Sequence, residues 1–273
     1  MMNKKRIYIG ISLLATFLVL SLAGNGWLYW KLTKNAQGMT EEQDSIIENG
    51  AKEYAWPLRD MQPDVPYDTD FDGIDISEHQ GDIHWDEMDG DSVKKPQFIY
   101  IRANAMKCRF DYRYDRTLRE AREHNIPVGS YIFYHNAFSV EDHYRLFCEM
   151  YEDEQQDLVP MIDVEQESVG RLAYDSLAQH VMQLAQMIEK KIGTKPIIYS
   201  NLRFYRNFLS PMFDKYPLWI AAYGKKPEVE GLNIILWQWS PKGHIKGVWT
   251  EVDLDKFING TTLNTIRLKK KVK

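Results

Sequence analysis

The chain has 273 residues, enough for one domain of α/β-barrel size and little for two large ones. Its 44% hydrophobic and 27% charged residues are ordinary for a globular chain and exclude a disordered, collagen-like or disulfide-scaffold protein; two cysteines are too few for a four-thiolate metal cluster. The net charge of −5 hides an asymmetry: residues 1–34 and 267–273 each hold five basic side chains and no acid, leaving 24 basic against 39 acidic residues between them, a body that would repel a phosphate backbone, so no nucleic-acid partner is expected.

Ile7 to Trp30 carries no charge and follows Lys4, Lys5 and Arg6. As a helix its 24 residues would reach ~36 Å, enough to cross a ~30 Å hydrocarbon core, and the preceding positive charges place the N-terminus in the cytoplasm. Residues 1–34 are therefore expected to be a cytoplasmic tip and a transmembrane anchor, with the body outside the cytoplasm, on the periplasmic or cell-wall side. The alternative is a signal peptide cleaved near Ser21-Leu22-Ala23, giving a secreted protein. Residues 35–70 are polar and then broken by Pro57, Pro63 and Pro66, which reads as a stalk spanning roughly 30 Å as a flexible coil.

From residue 71 short apolar runs alternate with amphipathic stretches. Strands are expected at Phe71–Ser77, Gln97–Ala103, Pro127–Phe133, Val159–Glu165, Pro196–Asn201, Leu218–Tyr223, Ile234–Ser240 and, less clearly, Val252–Phe257. Helices are expected at Tyr112–His124, Val140–Glu154 (capped by Ser139), Tyr174–Ile192 (stopped by Gly193) and Leu202–Asp214. The alternation implies a parallel sheet. About eight strands in so few residues predict an irregular (β/α), TIM-like barrel over 71–262 with some helices shortened or missing, followed by a basic tail at 263–273.

In such a barrel, chemistry belongs at the C-terminal ends of the strands. Asp163 and Glu165 close one strand, and residues i and i+2 share a face. Two carboxylates on one face of an apolar strand are costly to bury, and their repulsion would raise one pKa until it could act as an acid at neutral pH. Asp75 sits near the end of the first strand and Asp253 begins the last. Several acids at one mouth suit glycoside hydrolysis, where an acid protonates the leaving oxygen and anions stabilise an oxocarbenium-like centre. Helix capping or salt bridging at a loop would explain the same acids without catalysis.

The segments Phe71-Asp-Gly-Ile-Asp-Ile-Ser77, Gly129-Ser-Tyr-Ile-Phe133, Pro160-Met-Ile-Asp-Val-Glu165, Leu218-Trp-Ile-Ala-Ala-Tyr223, Leu236-Trp-Gln-Trp-Ser240 and Val252-Asp-Leu-Asp-Lys-Phe257 stand in the order and spacing of glycoside hydrolase family 25. The chain resembles these Chalaropsis-type lysozymes over about residues 71–260. The resemblance implies an irregular barrel that cleaves the β-1,4 bond between N-acetylmuramic acid and N-acetylglucosamine in peptidoglycan without a cofactor, by a route that retains configuration. It assigns Glu165 as proton donor, Asp163 as its partner acid, and Asp75 and Asp253 as the other site acids. Three departures stand out. The second strand ends Arg102-Ala-Asn-Ala-Met106 where the family has a Lys-Ala-Thr-Glu-Gly-like run, Ile132 replaces a histidine, and Asp253-Leu-Asp255 replaces Asp-Leu-Asn. All three are expected to touch the cleft lining.

Tyr131, Phe133, Tyr199, Trp219, Tyr223 and Gln238 are the candidate substrate-binding residues, with Phe133 and Tyr223, nearest the strand ends, best placed to stack on sugar rings. His79, His84 and His135 share no ligand spacing on one helix, so no metal site is expected, and no serine lies in a hydrolase triad pattern. Cys108 and Cys148 are expected to stay unbridged, with Cys148 buried. The partners implied are peptidoglycan glycan strands and, through one helix, the membrane, with a monomer assumed. A non-catalytic peptidoglycan-binding or scaffolding module on the same fold is the alternative function.

Overall fold

The computed structural model describes residues 65–269, apart from 91, 106–108, 153, 170–173 and 175. The expected anchor and residues 35–64 of the expected stalk lie outside the described residues, as does Cys108. No helix among the described residues is long and apolar enough to cross a membrane.

The strands are β1 (Gly73–Ile76), β2 (Phe98–Ala105), β3 (Arg109–Phe110), β4 (Val128–Phe133), β5 (Met161–Asp163), β6 (Ile197–Asn201), β7 (Leu218–Ala221), β8 (Ile234–Gly243) and β9 (Val252–Phe257). They follow the order β1-β9-β8-β7-β6-β5-β4-β2-β3, and β1 also pairs with β2, so eight strands close into a barrel while β3 hangs on the end of β2. Those eight are the eight expected from the sequence. One expectation is corrected: the barrel is not wholly parallel, because β9 runs antiparallel to both β8 and β1. Only residues 244–251 join β8 to β9, and a parallel return needs a crossover of a dozen residues or more.

The helices are α1 (Trp85–Met88), α2 (Tyr114–Glu123), α3 (Val140–Met150), α4 (Leu177–Ile192), α5 (Leu202–Phe204) and α6 (Leu263–Ile266). Ser139 caps α3 by accepting from the Asp142 amide at 3.0 Å. In α4, Leu177, Val181, Leu184, Ala185 and Ile188 recur at helical spacing and are buried. Full burial of each larger one stabilises by roughly 1.5–3 kcal/mol. The helix expected at Leu202–Asp214 is a single α turn followed by a π turn at Tyr205–Leu209. Cys148 is exposed and free, contrary to the burial expected: α3 buries Val140, His143, Leu146 and Phe147, and the next position turns to solvent.

Strand parity builds the core. Ile74, Ile76, Ile99, Ile101, Val128, Val252 and Leu254 point out of the barrel into one cluster, and Ile132, Ile162, Val164, Ile198, Leu218 and Ile220 into another that includes the α4 stripe. Phe98, Tyr100, Tyr131, Met161, Ile197, Tyr199, Trp219 and Leu236 fill the inside. The rings need room: a Cβ on Gly73 would stand 2.3 Å from the Phe98 ring, and one on Gly129 2.6 Å from the Tyr100 ring. Ile266 of α6 is buried in the same inner cluster, the Val159 amide donates to its carbonyl at 2.8 Å, and the Leu268 amide donates to Asp157 O at 2.9 Å. The barrel therefore continues through residue 268, past the boundary expected at 262. At the other end, the Asp68 amide donates to His244 O at 2.7 Å, which ties the last residues of the expected stalk to the body.

Candidate active site

The acids gather where the parallel strands end. β1 delivers Asp75 and β5 delivers Asp163. Asp253 faces Asp75 as its register partner across β1 and β9. Only the reversed direction of β9 permits this, since the start of a parallel ninth strand would lie at the opposite end of the barrel.

β5 is shorter than expected, and Glu165 stands two residues beyond it on a turn. The Val164 amide still donates to Tyr199 O at 3.0 Å, and Ser200 Oγ donates to Val164 O at 2.7 Å. The Glu165 amide then donates to Ser168 Oγ at 2.8 Å, and the Ser168 amide returns to Glu165 O at 3.1 Å. The backbone on both sides of the carboxyl is thus fixed.

Burial pushes all four acids up, and repulsion by neighbouring acids adds to it at Asp75, Asp163 and Glu165. Asp163 lies well above the usual carboxylate range, through burial first and then the charges of Glu165 and Asp75, with Arg102 opposing. Asp75 is raised likewise by burial and by Asp253. Burial carries Asp253 to about 6. Glu165 reaches about 7 through burial, Glu167 and Asp253, partly offset by a hydrogen bond with Tyr199. A carboxyl titrating there can hold a proton at neutral pH and release it to a substrate oxygen. Asp163 Oδ1 is buried with no hydrogen-bond partner among the described residues.

The six expected substrate contacts divide. Phe133 is half-buried at the end of β4, and Tyr223, just past β7, is 52% exposed; both offer surface to a ligand. Tyr131 and Tyr199 are almost fully buried in the inner wall. Gln238 is 2% exposed and links other groups: Oε1 accepts from Tyr199 at 2.8 Å and Tyr223 at 3.2 Å, while Nε2 donates to Asp75 Oδ2 at 2.8 Å. Trp219 is fully buried, and its Nε1 donates to Asp255 Oδ1 at 3.1 Å. Trp219 and Gln238 thus hold the acids in place.

The departures from the family pattern also separate. Ile132 points outward into the helix-side core and does not line the mouth. Asn104 bridges a register shift between β2 and β4, donating to Phe133 O at 3.0 Å and accepting from the Phe133 amide at 2.8 Å. Arg102 pairs with Asp111 at 3.2 Å and Glu78 at 3.3 Å. Burial would raise Glu78, but Arg109 and Arg102 outweigh it and hold the carboxyl below its usual value. The sequence reading missed Glu78 and Asp111, and it placed Asp255 at the cleft lining without foreseeing its bond from Trp219. A lone acid in a loop carries no signal of its partner; for Asp255 the signal was the alternation Val-Asp-Leu-Asp.

A family model described as Glycosyl hydrolases family 25 matches residues 74–248. The chain belongs to that family. It is 32% identical over 208 residues to the uncharacterized protein YegX of Escherichia coli K12, covering 75% of each chain. It is 27% identical over 189 residues to the autolytic lysozyme of Clostridium acetobutylicum, covering 69% of this chain and 56% of that one. The crystal structure of the bacterial lysozyme from Streptomyces coelicolor superposes with a TM-score of 0.61 and 25% identity, over 70% of this chain and 93% of the other. A family 25 member is a glycoside hydrolase of the lysozyme type, and the irregular barrel found here is that fold.

Proposed function

We propose that the chain is a membrane-anchored peptidoglycan hydrolase that cleaves the β-1,4 bond between N-acetylmuramic acid and N-acetylglucosamine. The observation that carries the reading is the convergence of Asp75, Asp163, Glu165 and Asp253 on one mouth, with Glu165 poised at about 7. Glu165 gives its proton to the glycosidic oxygen as the bond to the anomeric carbon breaks. The positive charge that develops on the sugar faces Asp163, Asp75 and Asp253, whose carboxylates stabilise it. Water completes hydrolysis and Glu165 recovers its proton. Phe133 and Tyr223 lie against the sugar faces. Family membership and the lysozyme relatives support the substrate class. The uncharged stretch after Lys4, Lys5 and Arg6 supports an anchor that keeps the barrel on the cell-wall side.

Fractionated cells carrying the full chain test both halves. The membrane fraction should release reducing N-acetylmuramic acid ends from purified peptidoglycan. Reducing N-acetylglucosamine ends would overturn the bond assignment, and binding without new ends would favour the scaffolding alternative. Activity confined to a soluble chain beginning near Gly24 would remove the anchor.

A further inference from the structure

Asp255 sits one inward position beyond Asp253 on β9, at 0% exposure. Its register partners are Gly73 on β1 and Gln238 on β8. Oδ1 accepts from Trp219 Nε1 at 3.1 Å, while Oδ2 is buried and receives no N–H or O–H from the described residues. The carboxyl acts electrostatically on that of Asp75, whose Oδ2 accepts from Gln238 Nε2 at 2.8 Å. Two carboxyls can share a hydrogen bond only if one of them carries a proton, because an ionised carboxylate is an acceptor alone.

The titratable groups facing Asp255 are Asp75 on β1, Asp253 on its own strand and Tyr100 on β2. None of them is a cation. Lys256, the next residue, turns away and lies over the Trp239 ring at 4.5 Å and the Trp237 ring at 5.8 Å. An ionised Asp255 would therefore be a buried, uncompensated charge, which is far costlier than the neutral acid. Each carboxyl accepts from one N–H donor, but Asp75 opens onto the mouth while Asp255 is fully enclosed, so Asp75 is the better place for the negative charge.

We propose that Asp255 is a positioning residue: it remains a neutral carboxylic acid, donates a hydrogen bond to Asp75, and holds that carboxylate fixed between its own hydroxyl and the Gln238 amide. Burial, then the charges of Asp75 and Asp253, push Asp255 well above the ordinary carboxylate range. Burial and Asp253 raise Asp75 as well, so the two carboxyls titrate as a pair, and the complete burial of Asp255 against the mouth position of Asp75 places their shared proton on Asp255.

Two variants and one spectrum test this on the full chain. Asp255→Leu keeps the branched shape, with larger ends, and removes the donor. It should lose at least tenfold in kcat on peptidoglycan with KM within twofold, while still melting cooperatively. The conservative Asp255→Asn keeps a neutral donor and an acceptor, and should recover kcat to within about threefold of wild type with both limbs of the pH profile in place. Asp255→Leu retaining wild-type kcat, or Asp255→Asn moving a limb by a pH unit or more, would overturn the proposal. The kinetic arm rests on the hydrolase reading; carbon-13 NMR of aspartate-labelled protein does not. A protonated-carboxyl resonance, constant from about pH 5 to about pH 8 and lost in Asp255→Asn, is expected. An Asp255 signal at the ionised position at neutral pH would overturn the proposal even if wild type shows no turnover.

Discussion

At the scale of single residues, Glu165 must be neutral to donate while Asp253 remains anionic. Its value near 7 and that of Asp253 near 6 leave a narrow working window. Turnover should fall as pH rises through about 7, where Glu165 loses its proton, and fall again below about 6, where Asp253 gains one. Glu165→Gln keeps the shape and deletes the proton, so kcat should drop by a factor on the order of 10² to 10⁴, while a peptidoglycan fragment still binds. Glu167 gives a subtler check: it is exposed, yet after burial its charge is the largest influence holding Glu165 up. Glu167→Gln should shift the alkaline limb toward lower pH without abolishing turnover, and added salt should shrink the difference. A pH–rate series on the three proteins decides; Glu165→Gln within threefold of wild type would remove the proton donor from the scheme.

At the scale of elements, most of the barrel was legible because its outward faces carry β-branched side chains, Ile74 and Ile76 in β1, Ile99 and Ile101 in β2, Ile162 and Val164 at β5, as strands covered by helices do. β9 was harder to read. Its Val252, Asp253, Leu254, Asp255 alternation has the look of a half-exposed strand, yet the apolar face packs outward and the acids point in. Direction was hidden as well, since a strand pattern carries no arrow; the short 244–251 connection was the available clue. Glu78 and Asp111 were invisible because their importance comes from Arg102, distant in sequence and joined to them only by the fold. The inner rows show how tightly neighbouring strands specify each other. Gly129→Ala would drive a Cβ to 2.6 Å from the Tyr100 ring, which is itself tied by its hydroxyl to Val159 O at 2.8 Å. Overpacking of this kind costs roughly 1–3 kcal/mol. Chemical denaturation should show that loss with an unchanged slope, and a loss below about 0.5 kcal/mol would mean that the ring moves freely.

At the scale of the whole molecule, the acids that equip the mouth oppose the fold that holds them. Glu165 titrates at 4.5 when unfolded and at about 7 when folded. Between those values the unfolded chain has released its proton and the folded chain has not, so the unfolded state binds fewer protons and stability declines as pH rises. The contribution is complete below about 4.5 and lost by about 7, an order of 3 kcal/mol at 1.36 kcal/mol per unit. Asp253, moving from 3.8 to about 6, acts in the same direction, and the two share their repulsion and do not add. Acids paired with arginines work the other way: Asp82, Glu78 and Glu120 are held below their usual values against burial, and what they contribute is lost only in acid, below the unfolded carboxylate range. Between about pH 5 and pH 8 the two mouth acids outweigh buried His143, whose lowered imidazole favours the fold as pH rises, and the melting temperature of the protein should fall across that interval. Glu165→Gln removes a charge that the fold resists, so the variant should melt higher than wild type at pH 8, with a flatter dependence, while turning over far more slowly. Melting curves of both proteins at several pH values check this, and a wild-type melting temperature that rises from pH 5 to pH 8 would show that the mouth acids are not buried at the expense of the fold.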